Sequence, residues 1–305
     1  MKIAFFETKS EEREYFSKHL SGYDVTFFEK TINEIEGECD FDAVSVFIHS
    51  KIDKNVLDKC KNLKYIQTRS TGVDHLNLAE IYKRGILASN VVGYAGASVG
   101  EFAFGLLLEA VRKIYIAIER VKKGDLYYKD LKGIEISSKT IGVLGLGTIG
   151  FNIAKIAKGF GANVIGFSRT KKDKFEGVLE WCDNLDTVLE RSDFLFLALP
   201  LTKSTKNIIN TRNIKKFKGK VIINPARAEI IQKEVYETFD GIIAADVLPD
   251  WNLAKKENII ATPHMAYYTK EALFKIMEIS LLNLEDFLNG NKPRHCLKPF
   301  YEKEG

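Results

Sequence analysis

Short apolar runs alternate with longer amphipathic stretches along the chain. Lys2 to Phe6, Asp24 to Phe28 and Ala43 to Ile48 read as strands. The last of these is a continuous apolar run of the kind that parallel sheets bury on both faces. Helical spacing occupies Glu11 to His19 and Val56 to Cys60. Tyr65 to Thr68 predicts a short strand, followed by a glycine-bearing turn at Ser70-Thr71-Gly72. Leu78 to Arg84 predicts a helix stopped by Gly85, and Ile86 to Ser89 another strand. Residues 98–123 carry Val99, Phe102, Phe104, Leu107, Leu108 and Val111 at helical spacing. They predict one long helix, too apolar to stand in solvent, that crosses between domains or covers a partner subunit.

A second series begins at Lys139. Strands are expected at Thr140 to Leu144, Asn163 to Phe167, Phe194 to Ala198, Val221 to Asn224, Ile242 to Ala245 and Ile259 to Ala261. Helices are expected at Ile149 to Gly159, Leu185 to Glu190 and Lys270 to Asn289. Strand and helix alternating in this way imply parallel sheets joined by right-handed crossovers. A length of 305 residues corresponds to about two domains. The fold class is therefore α/β, with two doubly wound parallel-sheet domains.

Composition narrows the function. Apolar residues make up 45% and charged residues 28%, as in ordinary globular proteins. The net charge of +4 is interleaved, with no basic block to grip nucleic acid. No apolar run reaches the ~18 residues of a membrane span, and the N-terminus lacks the pattern of a signal peptide. Cys39, Cys60, Cys182 and Cys296 are scattered with no C-x-x-C pair, which predicts four reduced thiols in a cytoplasmic protein. No metal-ligand spacing and no nucleophile turn is present.

Gly145-Leu146-Gly147-Thr148-Ile149-Gly150 is a G-x-G-x-x-G between an apolar strand and a helix, the context in which it binds a dinucleotide. Gly145 permits the tight turn, Gly147 lets backbone approach a pyrophosphate, and Gly150 lets helix pack on strand. The following helix N-terminus offers N–H groups to the phosphates, Thr148 and Ile149 among them. An NAD site usually places Asp or Glu ~20 residues on, to bind the ribose 2′-hydroxyl. Here the second strand ends in Ser168-Arg169-Thr170, then two lysines, and the first carboxylate is Asp173. Arg169 can clamp a 2′-phosphate that a carboxylate would repel, so NADP(H) is the expected cofactor, with NAD the alternative.

Hydride transfer to a carbonyl needs a group to hold the substrate anion, one to polarise the carbonyl and one to exchange its proton. Arg227 and His264 stand just after predicted strands, in Asn224-Pro225-Ala226-Arg227 and Thr262-Pro263-His264. Ligands of doubly wound sheets bind at such strand ends.

Over nearly its whole length the sequence resembles the D-isomer-specific 2-hydroxyacid dehydrogenases. The matching segments are Thr68 to His75, Ser89 to Tyr94 with Ser98 to Glu101, the glycine turn, Leu199 to Thr202 with Ser204-Thr205, Asn224 to Arg227, Ala245 to Val247 and Thr262 to His264. The resemblance implies a Rossmann domain plus a flavodoxin-like substrate domain, with a cleft between them. It implies that Arg227 binds the carboxylate and carbonyl of a 2-keto acid and that His264 is the acid/base. The N–H groups of Thr71 and Gly72 would clamp the carboxylate and Tyr94 would wall the pocket. Asp246 would accept from the nicotinamide carboxamide, Pro200 and Thr205 would contact the adenosine half, and Ala226 is a further cofactor-binding candidate. It also implies a homodimer. His49, at a strand end of the first domain, is a further candidate for substrate contact, whereas His75 reads as structural.

One departure stands out. The family's Glu five residues after the matched Asp is Trp251 here, and Asp250 is the nearest carboxylate that could support His264. Ala228 also replaces the usual Gly, a change expected to be harmless. The domain boundaries expected are 1–95 and 285–305 for the substrate domain and 96–284 for the dinucleotide domain. The activity expected is reduction of a small 2-keto acid to the D-2-hydroxy acid, or the reverse. The alternatives are a 3-phosphoglycerate dehydrogenase, with Arg69 and Lys51 as candidate extra cations, and a cofactor-sensing regulatory protein on the same scaffold. No membrane and no nucleic acid partner is expected.

Overall fold

The structure is a computed structural model, and it describes residues 1–37 and 39–297. The chain divides into two compact units, Met1–Tyr94 with the segment from Thr269 onward, and Ala95–Tyr268.

The first unit contains β1 (Lys2–Phe5), α1 (Ser10–His19), β2 (Asp24–Phe27), β3 (Ala43–Val46), α2 (Lys54–Lys59), β4 (Tyr65–Thr68), α3 (Leu78–Lys83) and β5 (Leu87–Ser89). The second contains α4 (Gly96–Arg112), α5 (Ile114–Lys122), β6 (Thr140–Leu144), α6 (Thr148–Gly159), β7 (Asn163–Phe167), β8 (Glu180–Trp181), α7 (Leu185–Arg191), β9 (Phe194–Leu197), β10 (Val221–Asn224), α8 (Lys233–Thr238), β11 (Ile242–Ala245) and β12 (Ile259–Ala261). The chain then returns to the first unit through α9 (Lys270–Leu288).

The five-stranded sheet has the order β2-β1-β3-β4-β5 and the seven-stranded sheet β12-β11-β10-β9-β6-β7-β8. Their ladders are parallel. Period-two alternation divides the side chains between the two faces of each sheet. In the first unit Ile3, Phe5 and Tyr65 pack with Phe16 and Leu20, while Ala4, Phe6, Val44 and Ile66 pack on the opposite face. In the second, Ile141, Val143 and Phe196 pack under α4 and α6, and Leu195, Leu197 and Ile222 pack on the other side.

Three sequence expectations need correction. The segment 98–123 is not one helix. It breaks at Lys113, which takes a left-handed φ of 53°, and the two pieces differ in burial. The apolar face of α4 is buried inside its own unit against α6, where a Cβ at Gly100 would lie 2.9 Å from that of Asn152. The exposed apolar residues are instead on α5 and the loop after it, including Tyr115, Val121, Leu126 and Tyr128. Second, the return to the first unit falls at Thr269 rather than 285. The cause is that Leu281 and Leu284 of α9 pack with Ile3, Phe5 and Phe16, so the whole helix belongs there. Third, Cys39 and Cys60 form a disulfide that ties the segment before β3 to the end of α2, with a Cα–Cα distance of 4.5 Å. Cys182 is a buried free thiol. The reduced-thiol argument for a cytoplasmic setting therefore does not hold.

Candidate active site

The glycine loop after β6 has the geometry that dinucleotide binding requires. Gly145 has φ 93°, and any Cβ there would run into the Ala198 carbonyl. A Cβ at Gly150 would run into the Gly145 carbonyl. Gly147 has nothing within 4 Å of its Cβ position, so its backbone is open to a ligand. Gly147 also caps α6 with no side-chain hydrogen bond, which leaves the first N–H groups of a 12-residue helix for a phosphate. Between β6 and β9 the strand order reverses, the place where such sheets bind nucleotides. These features fit a nicotinamide dinucleotide.

Neighbouring strand ends supply the rest. Ser168 is half-buried after β7, and Arg169 and Thr170 are exposed. After β9, the Thr205 hydroxyl donates to the Pro200 carbonyl at 2.5 Å and accepts from the Thr202 N–H at 2.8 Å, which shapes the loop under Pro200.

Arg227, Asp246 and His264 follow β10, β11 and β12, three adjacent parallel strands, and so stand at the same edge of the sheet. Backbone bonds continue the ladder past the strands. The Asp246 N–H donates to Asn224 at 3.0 Å, and the His264 N–H donates to Asp246 at 2.8 Å. Arg227 is half-buried. Its carbonyl accepts from the Asn224 amide at 2.9 Å, and the buried Tyr236 hydroxyl donates to the Ala228 carbonyl at 3.1 Å. Burial pushes the Tyr236 hydroxyl pKa up, so it stays a neutral donor. The Ala226 N–H donates to the Asn224 side chain at 3.1 Å, closing a short turn, and the Arg227 guanidinium donates to the Ala226 carbonyl at 3.0 Å.

Asp246 is fully buried, and its carboxylate accepts from the Thr262 hydroxyl at 2.7 Å and from the N–H groups of Met265 and Ala266 at 2.9 Å each. It therefore builds the turn on which His264 sits with a φ of 56°. The sequence reading of Asp246 as a cofactor contact missed this role; its place one strand over from His264 was the available signal. The His264 ring lies edge-on to Tyr267, with centroids 6.2 Å apart.

Asp250 does not serve as the partner of His264. Its carboxylate accepts from the Asn252 N–H at 2.9 Å and side-chain amide at 3.1 Å, capping the turn Trp251–Lys255. The Asn252 N–H holds its pKa below the usual carboxylate range, and Lys233 and Lys255 add to that. The physical reason is local: an Asp at a turn's N-cap satisfies the nearest free N–H.

In the first unit, Thr71 and Gly72 follow β4. The Thr71 hydroxyl donates to Val91 at 2.8 Å, and the Ser70 hydroxyl donates to the Gly72 carbonyl at 2.7 Å. His75 meets the Thr68 hydroxyl at 2.9 Å. His49 is exposed after β3, and Tyr94 is buried. Arg69 is 1% exposed and bonded internally, so it is not an extra cation for a phosphorylated substrate. The Lys51 backbone is held by Asn33, and its side chain is exposed. Among the described residues no His/Cys/Asp/Glu group could hold a metal, and no helix is long and apolar enough to cross a membrane.

Residues 104–266 match the family described as D-isomer specific 2-hydroxyacid dehydrogenase, NAD binding domain. The chain is 34% identical over 275 residues to the glyoxylate reductase of Thermofilum pendens, covering 83% of this chain and 80% of the relative. It is 34% identical over 265 residues to the D-3-phosphoglycerate dehydrogenase of Archaeoglobus fulgidus, covering 83% of this chain but 50% of that longer relative. The structure of D-lactate dehydrogenase from Aquifex aeolicus, complexed with NAD and lactic acid, superimposes with a TM-score of 0.87 at 27% identity, covering 95% of this chain and 96% of that one. With its glycine loop and its Arg and His at the ends of β10 and β12, the chain belongs to the D-isomer-specific 2-hydroxyacid dehydrogenases, oxidoreductases that act on CH–OH groups with a nicotinamide cofactor.

Proposed function

We propose that this enzyme reduces a small 2-keto acid to the D-2-hydroxy acid with NADPH. The observation that carries the reading is the Asn224–Asp246–His264 ladder, which sets a guanidinium and an imidazole on one sheet edge beside the glycine loop. When bound, the nicotinamide supplies the hydride. Arg227 holds the keto acid's carboxylate in a bidentate pair and polarises its carbonyl. His264 gives a proton to the ketone oxygen as the alkoxide forms, and takes it back in the reverse direction. The N–H groups of Thr71 and Gly72 are assigned to the substrate carboxylate, Tyr94 to the pocket wall and His49 to the substrate's far end. Arg169, flanked by Ser168 and Thr170, is assigned to the 2′-phosphate, which is the basis for preferring NADPH over NADH.

A homodimer is part of the same reading. The exposed apolar side chains of α5 and the following loop, Ile114, Tyr115, Ile118, Leu126 and Tyr128 among them, support a self-contact there. A cytoplasmic location rests only on the nicotinamide cofactor, because the Cys39–Cys60 disulfide removes the thiol argument. The internal pairing of Arg69 weighs against a phosphorylated substrate.

A panel of glyoxylate, hydroxypyruvate, pyruvate and bulkier keto acids with NADPH and NADH, and of 3-phosphoglycerate with NADP+ and NAD+, read at the nicotinamide absorbance, tests the reading. Turnover of an unphosphorylated keto acid with NADPH is expected. Turnover of 3-phosphoglycerate alone, or of nothing, would overturn it.

A further inference from the structure

The five-stranded sheet has its own reversal of strand order. From β1 the chain goes outward to β2, then back across to β3 on the other side. Parallel sheets present a crevice of N–H groups at the carboxyl ends of such a strand pair, and ligands commonly fill it. Here a side chain of the protein fills it. Glu7, two residues past β1, accepts from the N–H of Phe47 at 3.0 Å, His49 at 3.1 Å and Ser50 at 3.0 Å, all in the loop that leaves β3. Three charge-assisted bonds fix this stretch of backbone. The same residue is held in a left-handed conformation, φ 57°, which is uncommon for any side chain other than Gly, Asn or Asp. Its N–H donates to Lys30 at 3.1 Å, and its carbonyl accepts from the buried Arg69 guanidinium at 3.2 Å. Arg69 also binds the carbonyls of Phe6 and Ser45 at 2.7 and 3.0 Å, and its backbone leads directly into Ser70-Thr71-Gly72. One buried cation and one carboxylate thus join the ends of β1, β3 and β4.

We propose that Glu7 is a positioning residue for substrate: its carboxylate holds the 47–50 loop in a single conformation, so that His49 is presented to the keto acid. This rests on the functional reading above, in which His49 faces the substrate. The strain at φ 57° is maintained because only that backbone conformation carries the carboxylate into the N–H crevice.

The experiment compares Glu7→Gly, Glu7→Ala and Glu7→Gln in the full-length enzyme. Hydrogen exchange of a peptide spanning 47–52 is expected to accelerate at least tenfold in Glu7→Gly and Glu7→Ala, with the β1 and β3 amides still protected. The KM for the keto acid is expected to rise about tenfold in both, with kcat and NADPH affinity within about twofold of wild type. Glu7→Gln keeps one acceptor oxygen and falls between. Glycine accepts the positive φ and alanine does not, so Glu7→Gly should melt at a higher temperature than Glu7→Ala while sharing its KM. A KM that follows the melting temperature would assign Glu7 a merely structural role and overturn the proposal. Unchanged exchange in the loop would overturn it too, as would faster exchange with an unaltered KM. Absence of any keto-acid turnover in the wild type would defeat the functional reading instead, and the exchange measurement would still decide whether Glu7 clamps the loop.

Discussion

Asp246 holds the turn that carries His264 through both its backbone and its side chain: its carbonyl accepts the His264 N–H at 2.8 Å, and its carboxylate accepts the next two N–H groups at 2.9 Å. The turn under the imidazole proposed to move the proton is thus held from a neighbouring strand as well as from its own, where the Thr262 carbonyl accepts the same N–H at 3.0 Å. Asp246→Asn keeps one acceptor oxygen for Thr262 and Met265 but turns an NH2 toward the Ala266 N–H. Leaving a buried donor opposed in this way costs ~1–3 kcal/mol of stability. A small displacement of a catalytic group lowers rate by about 10²-fold. Asp246→Asn is therefore expected to lose roughly 10²-fold in kcat while NADPH affinity changes little. A large loss of cofactor affinity with kcat preserved would favour the carboxamide contact instead.

His264 itself can be replaced without disturbing the backbone. Asn tolerates the φ of 56°, so His264→Asn should fold like the wild type. Removing a general acid lowers the rate by about 10²–10⁴-fold. In the proposed mechanism reduction consumes a proton from the His264 imidazolium, so wild-type activity in that direction should fall as pH rises, and His264→Asn should lose that limb. Steady-state rates across pH, with melting temperature as the folding control, check both points. A retained pH limb would move the acid/base role to another residue.

Much of this site was legible in the sequence because its signals are local. The glycine turn between strand and helix, and Arg227 and His264 just after apolar strands, need only chain order to be found. Strands β4, β6, β7, β10, β11 and β12 likewise have the limits their apolar runs imply. Other features depend on contacts distant in sequence. Glu7 meets residues about forty positions later, and no pattern near it indicates the 47–50 loop. The break at Lys113 escaped notice because helical periodicity continues on both sides of a single left-handed residue. Asp250 was misassigned because nearness in sequence to a missing Glu says nothing about which N–H its carboxylate meets. The Cys39–Cys60 bridge was missed because a disulfide depends on spatial approach and not on spacing.

Arg69 illustrates how a buried charge organises the first unit. Its guanidinium bonds Glu12 at 3.1 Å, the Phe6, Glu7 and Ser45 carbonyls, and the Ser45 hydroxyl. Burial pulls its pKa down, and the charges of Glu12 and Glu7 oppose that. Arg69→Met fills similar volume but strands these acceptors and the Glu12 carboxylate. Removing one partner of a buried ion pair typically costs about 3–5 kcal/mol. Urea unfolding should show a lower midpoint by that order, with Arg69→Lys in between. A midpoint like wild type would mean that the cation is dispensable.

The disulfide makes a separate prediction for stability. It joins Cys39 and Cys60, which are 21 positions apart in the sequence. A cross-link of that size lowers the entropy of the unfolded chain and stabilises the fold by roughly 3 kcal/mol. Both cysteines are buried, so Cys39→Ala and Cys60→Ala are milder than a polar replacement. Unfolding of the oxidised and dithiothreitol-treated enzyme should differ by about this amount, and the double Ala variant should ignore the reductant. Identical curves for the oxidised and reduced wild type would remove the cross-link from the account of stability.

The proposed preference for NADPH turns on one exposed side chain. Arg169 stands just past β7, two residues after the strand's last ladder position, with Lys171 and Lys172 beside it and no carboxylate before Asp173. A 2′-phosphate placed there gains a bidentate, charge-assisted pair, whereas a 2′-hydroxyl gains little from a guanidinium. Hydrogen bonds to charged groups contribute about 1.5–3 kcal/mol each, so losing even one should cost roughly ten- to hundredfold in affinity. Arg169→Asp goes further, because its carboxylate repels the phosphate and can accept from the ribose hydroxyls of NADH. Catalytic efficiency with NADPH should fall by at least that factor while efficiency with NADH rises, reversing the ratio. Neither change should alter the KM for the keto acid, since the contact proposed for Arg169 is at the adenosine end. If the wild type already prefers NADH, the basic loop is only a solvated surface and the NADPH assignment fails, while the roles of Arg227 and His264 are untouched.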